Sequence, residues 1–252
     1  GCRLSLARPV LVPALFGALM LGGCDRLGGE ADNRRESARG FPKADRPISP
    51  IVSVRYSTEE ARDHAGEAQD IMDHAGAAPG MTVADIGAGE GYYTVRLAKR
   101  VGREGRVLAE DIMPEVIDAL GQRINRESWS NVSVRLGTPD DPRLPERSFD
   151  RIFMVHMYHE IEEPYAFLWH MRPALKPEGE VIVVDSDRPT SEHGTPPKLL
   201  ACEFASVGYR LMEMMPRPSS VGYLARFRTV GARPDPDAIR ACKLVKGYEA
   251  DR

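Results

Sequence analysis

Cysteine is scarce in this chain of 252 residues: there are four, none in a CxxC pair. That gives neither a disulfide-dense scaffold nor a zinc site of the paired-cysteine type. Aromatic residues make up only 7%. Charge of one sign is missing as well, with 34 Lys and Arg against 37 Asp and Glu and a formal net charge of −3. A strongly basic nucleic-acid binder is therefore excluded. No apolar run reaches the roughly 20 residues of a spanning helix, and there are no internal repeats. What is present is globular in proportion, 42% hydrophobic and 28% charged, with length enough for one domain with a full core.

The first 23 residues carry Arg3 and Arg8 and no acid, followed by the apolar stretch PVLVPALFGALML at 9–21. A basic start, a short apolar centre and small residues before a break describe a secretory signal peptide. It ends in Leu21-Gly22-Gly23-Cys24, which resembles a bacterial lipobox. That resemblance implies acylation of the Cys24 thiol, cleavage before it, and a lipid-anchored protein in the cell envelope. Each buried CH₂ of an acyl chain contributes about 0.8 kcal/mol to anchoring. Residues 24–50 are rich in charge, Pro and Gly, with only Leu27, Phe41 and Ile48 able to seed a core. This composition reads as a flexible tether. Cys202 and Cys242 are the remaining cysteines of the mature chain, and an export route permits a disulfide between them.

The folded part is expected over 51–232, with a tail at 233–252. Ser57 and Glu60 have capping-box spacing, predicting a helix to about residue 74. Strands are expected at 81–86, 106–112, 131–136, 149–156 and 180–185. Helices are expected at 91–100, 114–125, from Pro164 to about 175, and at about 196–206. Val95, Ala98 and Val101, and then Phe167, Leu168, Met171 and Leu175, form the buried stripes of two of these helices. The alternation predicts an α/β fold: a doubly wound, mostly parallel sheet with helices on both faces. One helix is missing between the strands at 131 and 149. Two late strands, near 208–215 and 221–229, are expected to pair antiparallel at one edge.

The stretch that carries chemistry is Asp85-Ile86-Gly87-Ala88-Gly89-Glu90-Gly91. Glycines directly after a strand let backbone approach a ligand, and the next helix supplies free N–H groups. The acidic pair Glu110-Asp111 ends the second strand about twenty residues later, where a carboxylate can hold ribose hydroxyls. The third glycine of a nicotinamide fingerprint is replaced by Tyr92, which weighs against NAD. Tyr92 and Tyr93 either pack over a cofactor or fill the seam between helix and sheet.

In these motifs, and in GRVLAEDIMPEVI, GTPDDPRLPERSFD and LKPEGEVIVVDSD, the chain from about 58 to 228 resembles the Rossmann-like S-adenosylmethionine-dependent methyltransferases of the bacterial small-molecule type. The resemblance implies S-adenosyl-L-methionine as cofactor. Asp85, Gly87, Gly89 and Gly91 would surround its methionine part, Asp111 would hold its ribose, and Asp140 is the candidate adenine neighbour. The family usually has an acid directly after the glycine that is Gly137 here, and this chain has Thr138. The sulfonium is already a leaving group, so no metal is expected.

The segment 154–164 follows the fourth strand, where this fold usually places its substrate. His159, with its neighbour Tyr158, is the candidate catalytic residue, His159 as a general base for a small-molecule methyl acceptor. A structural histidine is the competing reading. A His156/His159/Glu160 metal cluster is disfavoured because strand alternation sends the two histidines to different places. The Asn/Asp-Pro-Pro-aromatic motif of nucleic-acid amino methyltransferases is absent, against nucleic acid as partner. Two further readings stand beside the methyltransferase: a non-catalytic envelope binding module on the same fold, and an NAD-dependent oxidoreductase. The first arises because a lipobox sends the domain outside the cytoplasm while S-adenosylmethionine is made inside. Oligomeric state has no sequence signal.

Overall fold

The computed structural model describes residues 32–51, 58–218 and 221–243. The segment expected to be a signal peptide, Cys24 and Ser57 lie outside them. Among the described residues no helix is long and apolar enough to cross a membrane.

Seven strands form one sheet in the order β3-β2-β1-β4-β5-β7-β6. These are β1 (Thr82–Ile86), β2 (Arg106–Asp111), β3 (Val132–Leu136), β4 (Phe149–Val155), β5 (Leu175–Asp185), β6 (Tyr209–Pro216) and β7 (Tyr223–Thr229). The first five run parallel, and β7 pairs antiparallel with both β5 and β6. The chain reverses its winding between β1 and β4, and open α/β sheets bind ligands outside the carboxyl ends of the strands at such a switch point.

Period-2 alternation sorts the strand residues between two cores. Val83, Val107, Phe153, Ile182 and Val184 face one apolar layer together with α2 (Glu67–His74) and α3 (Tyr92–Val101). Ala84, Ile152, Met154, Val181 and Val183 face the other, with α5 (Pro164–Met171) and α6 (Pro197–Ser206). Buried on both faces, these strands are the near-continuous apolar runs seen in the sequence. α4 (Pro114–Arg126) starts on a proline and packs Leu120 and Ile124 against Ala109 of β2.

The helix expected from Ser57 to about 74 is two helices. α1 (Glu59–His64) is capped by Thr58, whose Oγ1 accepts the Ala61 N–H at 3.1 Å. Gly66, at φ +69°, ends it before α2 begins. The left-handed conformation that glycine adopts freely separates the two.

No tether exists over 34–50. The connection from β3 to β4 has no helix, and residues 34–41 cover the sheet beside α5 in its place. Arg34 pairs with Glu163 at 3.0 Å, Ser37 donates to Asp140, and Phe41 meets Trp169 edge-on at 5.3 Å. Further along, Arg46 reaches Glu203 at 2.8 Å with both side chains fully buried. Composition concealed this because the segment's charges are satisfied by partners more than a hundred residues away.

The tail expected from 233 is likewise packed up to 243. Trp169 Nε1 donates to the Pro234 carbonyl at 2.8 Å, and Ile239 is buried. Cys242 forms a disulfide with Cys202, with Cα atoms 6.1 Å apart. An isolated parallel bridge between Asp45 and Lys243 joins this segment to the one before α1.

Candidate active site

The loop after β1 reverses the chain on three glycines with positive φ: Gly87 at +67°, Gly89 at +56° and Gly91 at +93°. They do different work. Around Gly89 a Cβ would meet nothing within 4 Å, and Gly89 borders a cavity. At Gly91 a Cβ would lie 2.5 Å from Leu120 Cδ1. Gly91 therefore lets α3 and α4 pack closely and is turned away from the cavity. Asp85, one strand position below the loop, is buried and accepts a hydrogen bond from Thr94 Oγ1 at 2.7 Å. Burial pushes its carboxyl up to about 7, against the Thr94 bond and with help from the charge of Asp111. Asp85 is absent from the cavity wall.

Asp111 ends β2 at the cavity. Its Oδ2 accepts the Gly89 N–H at 3.1 Å and its Oδ1 the Met113 N–H at 3.0 Å. The carboxylate thus fixes the glycine loop to β2. Burial raises its pKa while the backbone bonds from Met113 and Gly89 pull it down. Its neighbour Glu110 also lines the cavity. It is almost wholly buried, and its Oε2 has no hydrogen-bond partner. Burial, with the charges of Asp111, Asp85 and Asp141, pushes the Glu110 carboxyl well above its ordinary value. A Cβ on Gly137 would stand 2.9 Å from that carboxyl, so the glycine makes room for it. Glu110 was visible in the sequence only as half of an acidic pair.

The cavity has a volume of about 210 Å³. Ile112, Met113 and Val116 give it an apolar shelf beside Asp111, and Met157 and Phe167 stand on the β4 side. Four acids line it, Glu110, Asp111, Glu160 and Glu162, and among the described residues no Lys or Arg does. A ligand with an ammonium, a sulfonium and ribose hydroxyls finds acceptors, an orphaned buried carboxyl oxygen and an apolar surface for a flat base. These residues fit S-adenosylmethionine.

Asp140 does not reach the cavity, although its neighbour Pro139 does. It is fully buried, bonded by Ser37 and by Thr138 Oγ1 at 2.9 Å, and paired with Arg35 at 2.8 Å. Burial alone would raise its carboxyl, but these partners outweigh it and hold it below the usual range. Asp140 anchors the segment before α1. Tyr92 and Tyr93 fill the seam between α3 and α2, with the Arg62 and Arg96 guanidiniums 3.7 and 3.8 Å from the Tyr92 ring centre.

Beyond β4, His156 sits at the cavity with φ +51°, rare for a residue bearing a Cβ. Burial lowers its pKa against the pull of Asp185. Tyr158 faces away into the core: fully buried, it donates to Glu203 Oε2 at 2.6 Å. That places Tyr158 in the Arg46–Glu203 network and outside any acceptor pocket. His159 is buried behind the cavity wall, with Nδ1 3.0 Å from Asp185 Oδ2. The sequence-based pair is thus split, and His156, Glu160 and Glu162 are the polar residues that the β4 end presents to the cavity.

Comparison with known proteins agrees with this geometry. Residues 83–179 match the family profile of a methyltransferase domain. Over 219 residues the chain is 26% identical to the ubiquinone/menaquinone biosynthesis C-methyltransferase UbiE of Shewanella oneidensis, covering 82% of this chain and 86% of that protein. The protein of the same name from a Marinomonas species is 25% identical over 236 residues, with 86% and 91% covered. A crystal structure of a SAM-dependent methyltransferase from Aquifex aeolicus superposes with a TM-score of 0.61 at 22% identity, covering 69% of this chain and all of that one.

Proposed function

We propose that this chain, an S-adenosyl-L-methionine-dependent methyltransferase, moves the methyl group to a small-molecule acceptor bound at the β4 end of the cavity, while tethered to a membrane by a lipid on Cys24. The observation that carries the cofactor half is the Asp111 carboxylate, which ties the Gly89 loop to β2 in the wall of the cavity. When bound, the cofactor supplies an activated methyl group on a cationic sulfur.

The protein's own part is positioning. Asp111 accepts the ribose hydroxyls, Gly87 and Gly89 let backbone approach the ligand, and the shelf of Ile112, Met113 and Val116 takes the base. Glu110, its carboxyl pushed up by burial, stands beside Asp111 in the cavity wall. His156 and Glu160 bracket the acceptor. Holding two reactants in line and excluding water is worth up to about 7–11 kcal/mol, so no strong acid or base is needed for a reactive acceptor. The acceptor's nucleophile forms a bond to the methyl carbon as the carbon–sulfur bond breaks, leaving S-adenosylhomocysteine and a methylated acceptor that sheds its proton.

The lipobox at 21–24 supports the tether, and the Cys202–Cys242 disulfide supports an oxidising compartment. Methyl-labelled cofactor incubated with metabolite fractions tests the transfer. Quinol precursors are the first acceptors to try, given the names of the relatives. Labelled product that disappears with Asp111→Ala supports the reading, and no labelled product from any fraction contradicts it. Fatty-acid labelling of Cys24→Ser tests the tether, because equal label on both proteins would sink it.

A further inference from the structure

Three side chains from two separate loops converge beside the cavity. His159, Glu160 and His193 each offer one ligand atom, and those atoms lie within 4.8 Å of one another. His159 Nε2 is 4.0 Å from Glu160 Oε1, and the His159 and His193 rings meet edge-on with centres 5.6 Å apart. Glu160 also lines the cavity.

We propose that His159, Glu160 and His193 form a binding site for a divalent first-row transition ion, of the zinc class, in the wall of the cavity.

The argument rests on how His159 is held. Its Nδ1 lies 3.0 and 3.1 Å from the two oxygens of Asp185. A carboxylate only accepts, so Nδ1 carries the proton and Nε2 presents its lone pair toward Glu160 and His193. Asp185 is itself fixed by the Ser186 N–H at 2.8 Å and by Thr195 Oγ1 at 2.7 Å. A carboxylate behind a histidine is the recurring support of metal-ligating imidazoles, setting tautomer and orientation. A structural histidine needs no such alignment of its far nitrogen with a second imidazole and a carboxylate.

The two loops are joined deliberately. Ser49 donates its N–H to the His159 carbonyl at 3.0 Å and accepts the His193 N–H on its Oγ at 3.2 Å. That same Oγ donates to the Thr190 carbonyl. His193 stands at φ +55°, a left-handed position after the turn at Thr190–Glu192. The segment before α1 thus fixes both histidine-bearing loops at one point.

Two imidazole nitrogens and one carboxylate oxygen are the donor set of many zinc and non-haem iron sites, which keep a further position open. Metal–ligand bonds of about 2.0–2.2 Å put ligand atoms about 3.3 Å apart in a tetrahedron. Binding therefore requires Glu160 and His193, both half-buried, to turn inward on the ion. The sequence offered only His156, His159 and Glu160 for such a cluster; His193 is 33 residues beyond Glu160 and carried no local signal.

The test uses the full chain without a histidine tag, stripped with a chelator, in the absence of any methyl donor. Its failure is therefore distinct from failure of methyl transfer. Zinc titration by calorimetry is expected to show an equivalent that both His193→Ala and Glu160→Gln weaken by about 100-fold or more. Asp185→Asn, which keeps one oxygen for the Nδ1 proton, is expected to weaken it about 10–100-fold. His170→Asn, on α5, is expected to bind as the parent does. Cobalt in place of zinc is expected to give ligand-field bands of nitrogen and oxygen coordination, lost in His193→Ala. Unchanged zinc affinity in folded His193→Ala and Glu160→Gln, no bound ion in the parent, or a sulfur-to-cobalt band that His193→Ala leaves intact would each overturn the proposal.

Discussion

The two ends of the cavity are built in different ways. The β1–β2 end comes from one stretch of chain, with Gly87, Gly89, Glu110 and Asp111 within 25 residues and tied by the Gly89-to-Asp111 bond. The β4–β5 end is assembled from distant pieces: His156, His159 and Glu160 after β4, Asp185 at the end of β5, His193 beyond it, and Ser49 from before α1. The first end presents glycine backbone and the carboxyls of Glu110 and Asp111 from one local stretch. The second depends on a buried scaffold that a local sequence pattern does not describe. A cofactor shared by a whole family can be served by a local motif, whereas the other end is shaped by whatever the rest of the chain brings to it.

The largest expected effect lies in that scaffold. Arg46→Met leaves Glu203 buried opposite an apolar side chain, next to the Tyr158 hydroxyl. Breaking a buried ion pair on one side typically costs about 3–5 kcal/mol. Denaturant unfolding is expected to show that loss, and affinity for S-adenosylhomocysteine in the folded variant is expected to hold. A loss below about 1 kcal/mol would mean that the segment before α1 is dispensable to the domain.

At the other end, stability is expected to depend on pH through Asp85. Its folded carboxyl titrates at about 7 against an ordinary value of 3.8. Between those values the folded state holds a proton that the unfolded state has released, so stability falls as pH rises from about 4 to 7. Asp85→Asn keeps an acceptor for Thr94 and removes the titration. It is expected to gain about 2–4 kcal/mol on the parent at pH 8 and nothing at pH 4. Equal pH profiles in unfolding experiments would show that Asp85 is ionised in the fold.

The two glycines separate packing from binding. Gly91→Ala drives a Cβ into Leu120 at positive φ and is expected to cost about 2–3 kcal/mol of stability. Gly89→Ala meets open space and carries only the left-handed strain of about 1–2 kcal/mol. It is expected to weaken cofactor binding more than it weakens the fold. The reverse ranking in calorimetry and thermal melts would exchange their roles.

How much of this was legible follows the same division. The parallel sheet, its edge pair and the α3 stripe were readable because strands buried on both faces and amphipathic helices leave periodic marks, whereas Leu175, expected on the α5 stripe, opens β5 after the helix ends at Met171. The Gly-rich loop and Asp111 were readable because strand, turn and acid are contiguous. Asp140 was misplaced because Ser37 and Arg35, which claim its carboxyl, come from a segment whose composition looks unstructured. Tyr158 and His159, adjacent in sequence, diverge because the short turn at Tyr158–Glu160 points one at Glu203 and the other at Asp185. Position after a strand does not reveal that choice.

The central claim is that the local end of the cavity holds S-adenosylmethionine through Asp111. Calorimetric titration of the protein and of Asp111→Ala with S-adenosylhomocysteine, and with NAD, tests it most directly. One equivalent of S-adenosylhomocysteine is expected to bind the parent and to weaken by about 1–3 kcal/mol in the variant, the scale of a lost hydrogen bond to a charged group, with no binding of NAD. Equal affinity in a folded Asp111→Ala, or preference for NAD, would contradict the account.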